Sequence, residues 1–325
     1  MLTTAILLVA LGQIPSPALA VGADAGNPLV RVYKPDGTRV AELFAFDHNF
    51  SGGVRVALGD FNGDGVTDLF TAAGPGGGPH LRIWDGADLT KLLAEAMVLP
   101  ADFRGGVFVA AADLDRDGKA EAIIGAGQGG APQVRVFRGG DLTKVLASAL
   151  VYDKNFRGGV RLTTGDMTGD GRPDILVAPG GGEPRPIRVI DGLAVANGAG
   201  LSQVFAEVYP FGTAFRGGVF PATADCTGDG RADLIVGAAG GGGPHLRVLN
   251  GANYSLVTEK MVYDPGFGGG VRPAALTVGG AVKVVVLPGP GGGPHLQLLS
   301  PALTASSGWF AFDQSFRGGA WVAAH

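Results

Sequence analysis

Cysteine occurs once in the 325-residue sequence, at Cys226, so no disulfide forms within the chain and its redox compartment is not legible from pairing. Histidine is almost as scarce, with five residues, and none lies in a G-x-S-x-G or H-E-x-x-H setting. The sequence therefore offers no recognisable order of nucleophile, base and acid, and no catalytic residue is assigned. Charged residues make up 17 % against 46 % apolar, the reverse of a disordered composition. The net charge is −4, which leaves no basic footprint, and no nucleic-acid partner is expected. No run of 18 apolar residues occurs, so no membrane-spanning helix is expected.

Glycine is abundant instead, at 58 residues beside 21 prolines, where average usage of glycine is about 7 %. In a helix interior glycine costs about 1 kcal/mol and proline about 3 kcal/mol relative to alanine, which excludes a helix-rich fold. Collagen is excluded because glycine does not recur at every third position. An all-β chain with many short strands and tight turns remains.

Self-comparison organises that chain. The motif F-x-G-G recurs at Phe50, Phe103, Phe156, Phe215, Phe267 and Phe316, with steps of 53, 53, 59, 52 and 49 residues. In the same phase, a proline precedes an apolar-Arg-apolar segment from Pro28, Pro79, Pro132, Pro186 and Pro244, with Gln297 replacing the arginine after Pro294. Six copies mean six units. One unit parses into four strands: GGVRVALGD, TDLFTAAG, HLRIWDG and KLLAEAMVL, with Gly-rich turns between. Four-stranded units of this length suit a β-propeller of six blades. A linear solenoid would carry atypical polar caps at its ends. Here the ends are complementary: GGAWVAAH matches a first strand, and the segment from Pro17 to Asp47 matches strands two to four. The ring is expected to close by pairing the two ends.

Met1–Ala20 carries a second reading. Ala5–Leu11 is apolar and Ala18-Leu19-Ala20 has the small-x-small form of a signal-peptidase site, although no Lys or Arg precedes Arg31. Residues 1–20 are thus a candidate signal peptide and 21–325 a single propeller domain. Cleavage after Ala20 would remove part of the closing blade's second strand.

The chemistry lies between strands one and two of four units. The loops are Asp60–Asp68, Asp113–Glu121, Asp166–Asp174 and Asp225–Asp233, with the pattern D-x-[DNT]-x-D-G-x-x-[DE]. Oxygen ligands at positions one, three and five with glycine at six also open an EF-hand loop. The expected ligands are Asp60, Asn62, Asp64 and Asp68 with the Val66 carbonyl; Asp113, Asp115, Asp117 and Glu121 with the Lys119 carbonyl; Asp166, Thr168, Asp170 and Asp174 with the Arg172 carbonyl; and Asp225, Thr227, Asp229 and Asp233 with the Arg231 carbonyl. Hard oxygen donors without His or Cys favour Ca²⁺ over zinc or copper, and Mg²⁺ demands a stricter octahedron. Four Ca²⁺ sites are expected, and 13 of the chain's 29 carboxylates would serve them. Solvated Asx turns without metal are the plainer alternative. The fifth full unit has Leu276-Thr277-Val278-Gly279-Gly280 at the same place, with no acid, and no metal is expected there.

The loops and the frame around them, V-x-x-G-D-x-N-G-D-G-x-x-D-L, resemble the FG-GAP/VCBS repeats, which also build integrin α-subunit propellers. The resemblance covers nearly all of the chain from about Leu19. It implies structural calcium sites on one propeller face, mapped onto the four loops alone. Integrin propellers have seven blades against six counted here, so their ligand-binding residues are not carried over.

Other recurring residues have plainer roles. Arg104, Arg157, Arg216 and Arg317 of F-R-G-G would form a circlet; local pairing is expected, with an acidic glycan or protein surface as the alternative. His80, His245 and His295 stand one per blade and cannot easily converge on zinc. Tyr33, Trp84 and Phe137 are expected between blades, Cys226 is a structural thiol, and Gly240–Gly243 is a turn. The sequence thus points to a monomeric, secreted or cell-surface, calcium-binding propeller that binds a protein or glycan and adheres. The alternatives are a polysaccharide lyase or hydrolase on the same scaffold, with chemistry near Leu193–Gln203, and a module of a larger surface protein.

Overall fold

The computed structural model describes residues 9–10 and 13–325. Most of the apolar stretch Ala5–Leu11, part of the candidate signal peptide, lies outside the described residues.

Six antiparallel sheets form a ring of blades. Blade 2 contains Val54–Gly59, Asp68–Ala73, His80–Trp84 and Leu92–Met97. Blade 3 contains Val107–Ala112, Glu121–Ala126, Gln133–Arg138 and Asp141–Leu150. Blade 4 contains Val160–Gly165, Asp174–Pro179, Ile187–Ile190 and Val204–Val208. Blade 5 contains Val219–Ala224, Asp233–Ala238, His245–Leu249 and Leu256–Met261. Blade 6 contains Val271–Val278, Ala281–Pro288, His295–Leu299 and Ala305–Phe310. Blade 1 joins the two ends: Ala320–Ala324 is its inner strand, followed by Leu19–Ala23, Leu29–Tyr33 and Arg39–Phe44.

The closing ladder pairs Leu19 with Ala324, Ala20 with Ala323 and Val21 with Val322, as the complementary ends require. Ala18, Leu19 and Ala20 are fully buried, so a cut after Ala20 would remove two of that ladder's five pairs. Val9–Ala10 adds a short fifth strand outside Arg39–Phe44. One helix of five residues, Gly192–Ala196, sits between strands three and four of blade 4 and accommodates the longer step of 59 residues.

Burial peaks at the second strand of each blade and falls outward from there, and the sequence explains why. Second strands such as Asp68–Ala73 and Glu121–Ala126 are buried along their whole length, because neighbouring blades cover both faces. They accordingly read as continuous small and β-branched runs rather than alternating ones. Third strands alternate, with their arginines partly exposed, and fourth strands such as Leu92–Met97 face solvent. Between blades the apolar residues merge into separate clusters, and Tyr33, Trp84 and Phe137 lie in them as expected. Each fully buried Leu or Ile, such as Leu69 or Ile123, contributes about 1.5–3 kcal/mol.

The glycines of F-x-G-G have a packing cause. A Cβ on Gly52 would lie 2.4 Å from the Phe50 ring, which fills the corner ahead of the inner strand. The following glycine turns with positive φ: Gly106, at +78°, leaves no room for a Cβ beside the Arg55 guanidinium and the Gly74 backbone. Blades are further tied by backbone bonds at this corner, with Gly76 N donating to the Arg104 carbonyl at 2.8 Å and Gly129 N to that of Arg157 at 2.9 Å.

The third-strand arginines act as struts, a role the sequence reading did not assign. Arg82 donates to Glu95 of its own blade at 3.0 Å and to the Ala45 carbonyl of the preceding blade at 3.1 Å. Arg31 and Arg247 repeat both bonds, the latter with Glu259 at 2.7 Å and the Pro210 carbonyl at 2.7 Å. Arg188 bonds Glu207 at 2.8 Å and also reaches the Val151 carbonyl. The readable signal was a Glu on strand four directly opposite the arginine, as in the pair Arg82 and Glu95.

Candidate functional site

All four acidic loops leave the C-terminal end of an inner strand, and the inner strands stand side by side around the axis. The loops therefore share one face, on four consecutive blades. They also touch in sequence: Ala120 N donates to the Asp60 carbonyl at 2.6 Å, and Ala232 N to the Asp166 carbonyl at 3.0 Å. Arg116 of the second loop reaches the Gly171 carbonyl of the third. Arg231 of the fourth loop donates to the Thr168 carbonyl of the third at 2.8 Å.

Within each loop the first aspartate organises the turn. The Asp60 carboxylate accepts from Gly63 N at 2.7 Å, Asp64 N at 3.3 Å and Gly65 N at 2.8 Å. Asp166 and Asp225 do the same with the amides at positions four to six. Asp113 accepts only at positions five and six. Its position four is Arg116, held at φ 61°, where the other loops have glycine. The fifth-position aspartates each accept from the amide of position seven, as Asp64 does from Val66 at 2.8 Å and Asp117 from Lys119 at 2.9 Å. Asp170 and Asp229 bind the Arg172 and Arg231 amides at 2.8 and 3.0 Å. Position three joins in the first two loops, where the Asn62 side chain accepts from Asp64 N at 2.9 Å and Asp115 from Asp117 N at 3.1 Å.

Position nine behaves differently from the rest. Asp68, Glu121, Asp174 and Asp233 are essentially fully buried. Each carboxylate spans two turns with its two oxygens. Asp68 accepts from Phe61 N and from Gly86 N, both at 2.8 Å. Glu121 accepts from Leu114 N at 2.8 Å and Gly139 N at 3.2 Å. Asp174 binds Met167 N and Thr168 N at 2.8 Å and Gly192 N at 3.2 Å, and Asp233 binds Thr227 N and Gly251 N at 2.8 Å. This acid thus staples the acidic loop to the turn between strands three and four. Its sequence signal is a glycine eighteen residues downstream in every copy.

The electrostatics are one-sided. Burial pushes the Asp68 carboxyl up to about 6; the Gly86 and Phe61 amides oppose this, and Asp64 and Asp60 add to the rise. Burial likewise raises Glu121 to about 7, with Asp115 and Asp117 adding to it against the Leu114 and Gly139 amides. Asp174 is raised by burial as well. One carboxylate oxygen from each of Asp113, Asp115 and Asp117 lies within 4.8 Å of the others. Ca²⁺ binds oxygens at about 2.3–2.6 Å, so oxygens on opposite sides of one ion stand up to about 5 Å apart, and this spacing fits a single ion. Among the described residues, the one ion pair with these loops is Arg138 with Asp117 at 3.7 Å. The donor set is oxygen throughout: Cys226, at position two, is raised to about 12, by burial first and then by Asp233 and Asp225, and packs among apolar side chains as a structural thiol.

The remaining sequence candidates do not gather. Arg104 donates to the Ala101 and Phe103 carbonyls at 2.6 and 3.0 Å, and Arg317 to those of Gln314 and Phe316 at 2.5 and 3.0 Å. Arg157 makes the same local pair with Lys154 and Phe156. His80 and His245 each face a strand-four glutamate, Glu95 at 3.2 Å and Glu259 at 2.9 Å, while His295 packs on Phe310. No helix among the described residues is long and apolar enough to cross a membrane.

Comparison with known proteins agrees with this geometry. The sequence model of the FG-GAP-like repeat matches residues 60–124, 113–177 and 166–236, each window running from one acidic loop through the next. Among solved structures, a protein of unknown function from Bacteroides caccae is 13 % identical, over 95 % of this chain and 98 % of that one, with a TM-score of 0.55. An Agrocybe aegerita lectin described as recognising non-reducing terminal N-acetylglucosamine is 16 % identical over 98 % of both chains, with a TM-score of 0.48. A Bacillus licheniformis rhamnogalacturonan lyase is 14 % identical over 96 % of this chain and 69 % of that one, with a TM-score of 0.41. At 13 % identity the likeness to the Bacteroides caccae protein is one of fold alone.

Proposed function

The chain belongs to the FG-GAP-like repeat family, and from that premise we propose a calcium-binding propeller, secreted or at the cell surface, that serves as a protein- or glycan-binding module. The observation that carries the calcium reading is the convergence of Asp113, Asp115 and Asp117 in one of four like-built acidic loops on one face, with Arg138 the one cation paired to these loops among the described residues. In each loop the acids and amide or hydroxyl side chains of positions one, three and five hold the ion, with the carbonyl of position seven: Asp60, Asn62, Asp64 and Val66 in blade 2, and their counterparts in blades 3 to 5. The position-nine acids use both oxygens on backbone amides, Asp174 Oδ2 accepting two of them, and keep the remaining lone pairs free. Burial first, and then the neighbouring aspartates, push Asp68 and Glu121 up, and a bound cation would offset the second of these.

Because the loops touch from blade to blade, four ions would stiffen an arc of the ring. A stiff arc suits recognition by a secreted or surface protein. Calorimetric titration should give about four Ca²⁺ per chain. At calcium about 100-fold above Kd, each site adds about 2.7 kcal/mol to the folded state. With an unfolding entropy of about 2.1 cal/mol/K per residue, chelation then lowers the thermal midpoint by on the order of 10 °C. An unchanged midpoint sinks the calcium reading. A glycan and protein array probed with calcium and with chelator tests the binding role, and an array blank in both conditions argues against it.

A further inference from the structure

The residue that follows F-x-G-G-x in each copy stands second on an inner strand, so all six copies meet at the axis. Around the ring they are Arg55, Phe108, Arg161, Phe220, Arg272 and Trp321, a strict alternation of arginine and aromatic. The guanidiniums lie against the rings. Arg161 is 3.7 Å from the Phe220 centroid, Arg272 is 3.8 Å from that of Trp321, and Arg55 is 4.8 Å from that of Phe108. Together the six line a cavity of about 70 Å³. It continues along the axis into a second cavity of about 160 Å³, lined by small residues such as Ala57, Ala110 and Ala222.

The charges in this ring do not balance. Among the described residues Asp24 is the one carboxylate that reaches it, bonding Arg272 at 2.6 Å and the Trp321 indole at 2.6 Å. Arg55 and Arg161 have only backbone carbonyls, those of Ala73 at 3.4 Å and Val219 at 2.9 Å. The Nε groups of Arg55, Arg161 and Arg272 are buried with no hydrogen-bond partner. Arg55 and Arg272 are themselves only 6 and 5 % exposed. Three guanidiniums against one carboxylate leave two positive charges without a counter-ion, Arg55 buried and Arg161 half-buried, a state that costs folding free energy unless an anion joins it. Burial lowers Arg161 to about 9, with Arg272 and Arg55 adding to the fall and Asp24 opposing it. Aromatic faces attract cations, and fork-shaped guanidinium donors match oxyanions better than spherical ions.

We infer that the axial ring is a binding site for one small tetrahedral oxyanion, of the sulfate or phosphate class, either free or as an ester substituent of a ligand entering the channel. The site goes beyond the calcium reading and does not depend on it. Arg55 stands at the start of its strand and Asp60 just past its end, about 16 Å away at about 3.3 Å per residue. The two faces of the propeller would then bind opposite charges.

The test is a calorimetric titration of the full chain in chelator, with sodium sulfate, sodium phosphate and a hexose 6-sulfate, against sodium chloride at matched ionic strength. Sulfate or phosphate should show one saturable site per chain, well above chloride. Arg55→Gln and Arg161→Gln should each weaken it by about ten-fold or more, as expected when a buried partner of a charge is truncated. Arg104→Gln, on the outer corner, should change it by less than about two-fold, because an exposed charge is screened. Asp24→Asn removes the competing carboxylate and should tighten binding. Tighter binding of the hexose sulfate than of sulfate identifies an ester ligand, and the reverse a free anion. Absence of a saturable site, or an affinity untouched by Arg55→Gln and Arg161→Gln, overturns the proposal. Should both arginine variants fail to fold, an affinity that Asp24→Asn leaves unchanged or weakens overturns it equally. Running in chelator keeps this outcome separate from any failure of the calcium sites.

Discussion

Blades 2 to 5 and blade 6 solve the same connection in two ways. In blade 6 the first two strands run eight residues each, Val271–Val278 and Ala281–Pro288, and meet in a two-residue turn. Gly279 and Gly280 have φ of 56° and 78°, the double positive φ of a type I′ turn. In blade 3 the strands stop two residues earlier, after the pair of Ala112 with Glu121, and the acidic loop begins. Blade 6 has Leu276 paired with Lys283 at that level. A lysine thus stands where the other four blades bury an acid. Eighteen residues on, where blades 2 to 5 supply the amides of Gly86, Gly139, Gly192 and Gly251, blade 6 has Pro301, which has no N–H. Acceptor and donor are absent together in blade 6. The staple is therefore one coupled device, and the sheet itself needs neither it nor the acidic loop.

The largest effect comes from exchanging the two solutions. Replacing residues 113–120 with the blade 6 turn, Thr-Val-Gly-Gly-Ala-Val, should leave the propeller folded by circular dichroism and reduce calcium stoichiometry by one. The drop in thermal midpoint on chelation should shrink by about a quarter, the share of one site of about 2.7 kcal/mol at 100-fold excess. An unaltered stoichiometry would mean that this loop, the one with four acids, holds no ion.

Next in size is the staple taken alone. Glu121→Ala strands the buried amides of Leu114 and Gly139, and each unsatisfied group costs about 1–3 kcal/mol. A loss of about 2–3 kcal/mol in denaturant unfolding is expected even in chelator, reduced where water enters. Lys283→Ala at the equivalent place in blade 6 should change stability by less than about 0.5 kcal/mol, since it removes a partly exposed side chain with no such partners. Equal losses at the two positions would show that Glu121 acts only through its charge.

How much of this was legible follows from which residues repeat and which alternate. The blades could be counted because Phe50 and its five copies carry glycines that the ring packing makes obligatory. The acidic loops could be read because their spacing is fixed by local turns within nine residues. The staple was missed because its two halves, Glu121 and Gly139, lie in different loops and meet only when strands two, three and four are paired. The axial arginines were missed for the opposite reason: Arg55 and Phe108 differ in type, so comparing copies for likeness passes over a position whose meaning is its alternation.

The smallest effect concerns the turn that stands in blade 6 in place of an acidic loop. Gly280 has φ 78° and open space where a Cβ would point, so Gly280→Ala introduces backbone strain without a clash. A non-glycine residue in this left-handed region costs roughly 1–2 kcal/mol. At this chain length a loss of about 1 kcal/mol moves the midpoint by about 1–2 °C, given an unfolding entropy of about 2.1 cal/mol/K per residue. Calcium stoichiometry should stay the same, because the turn holds no acid. The contrast with Gly118→Ala is the informative one. Gly118 also has positive φ, 87°, with no atom in the way of a Cβ, but its amide bonds the Asp113 carboxylate at 3.0 Å inside the acidic loop. If the loop holds an ion, strain there shifts calcium affinity as well as stability, whereas Gly280→Ala shifts stability alone. Equal behaviour of the two variants in calcium and in chelator would mean that the loop geometry is set by the turn and owes nothing to the ion.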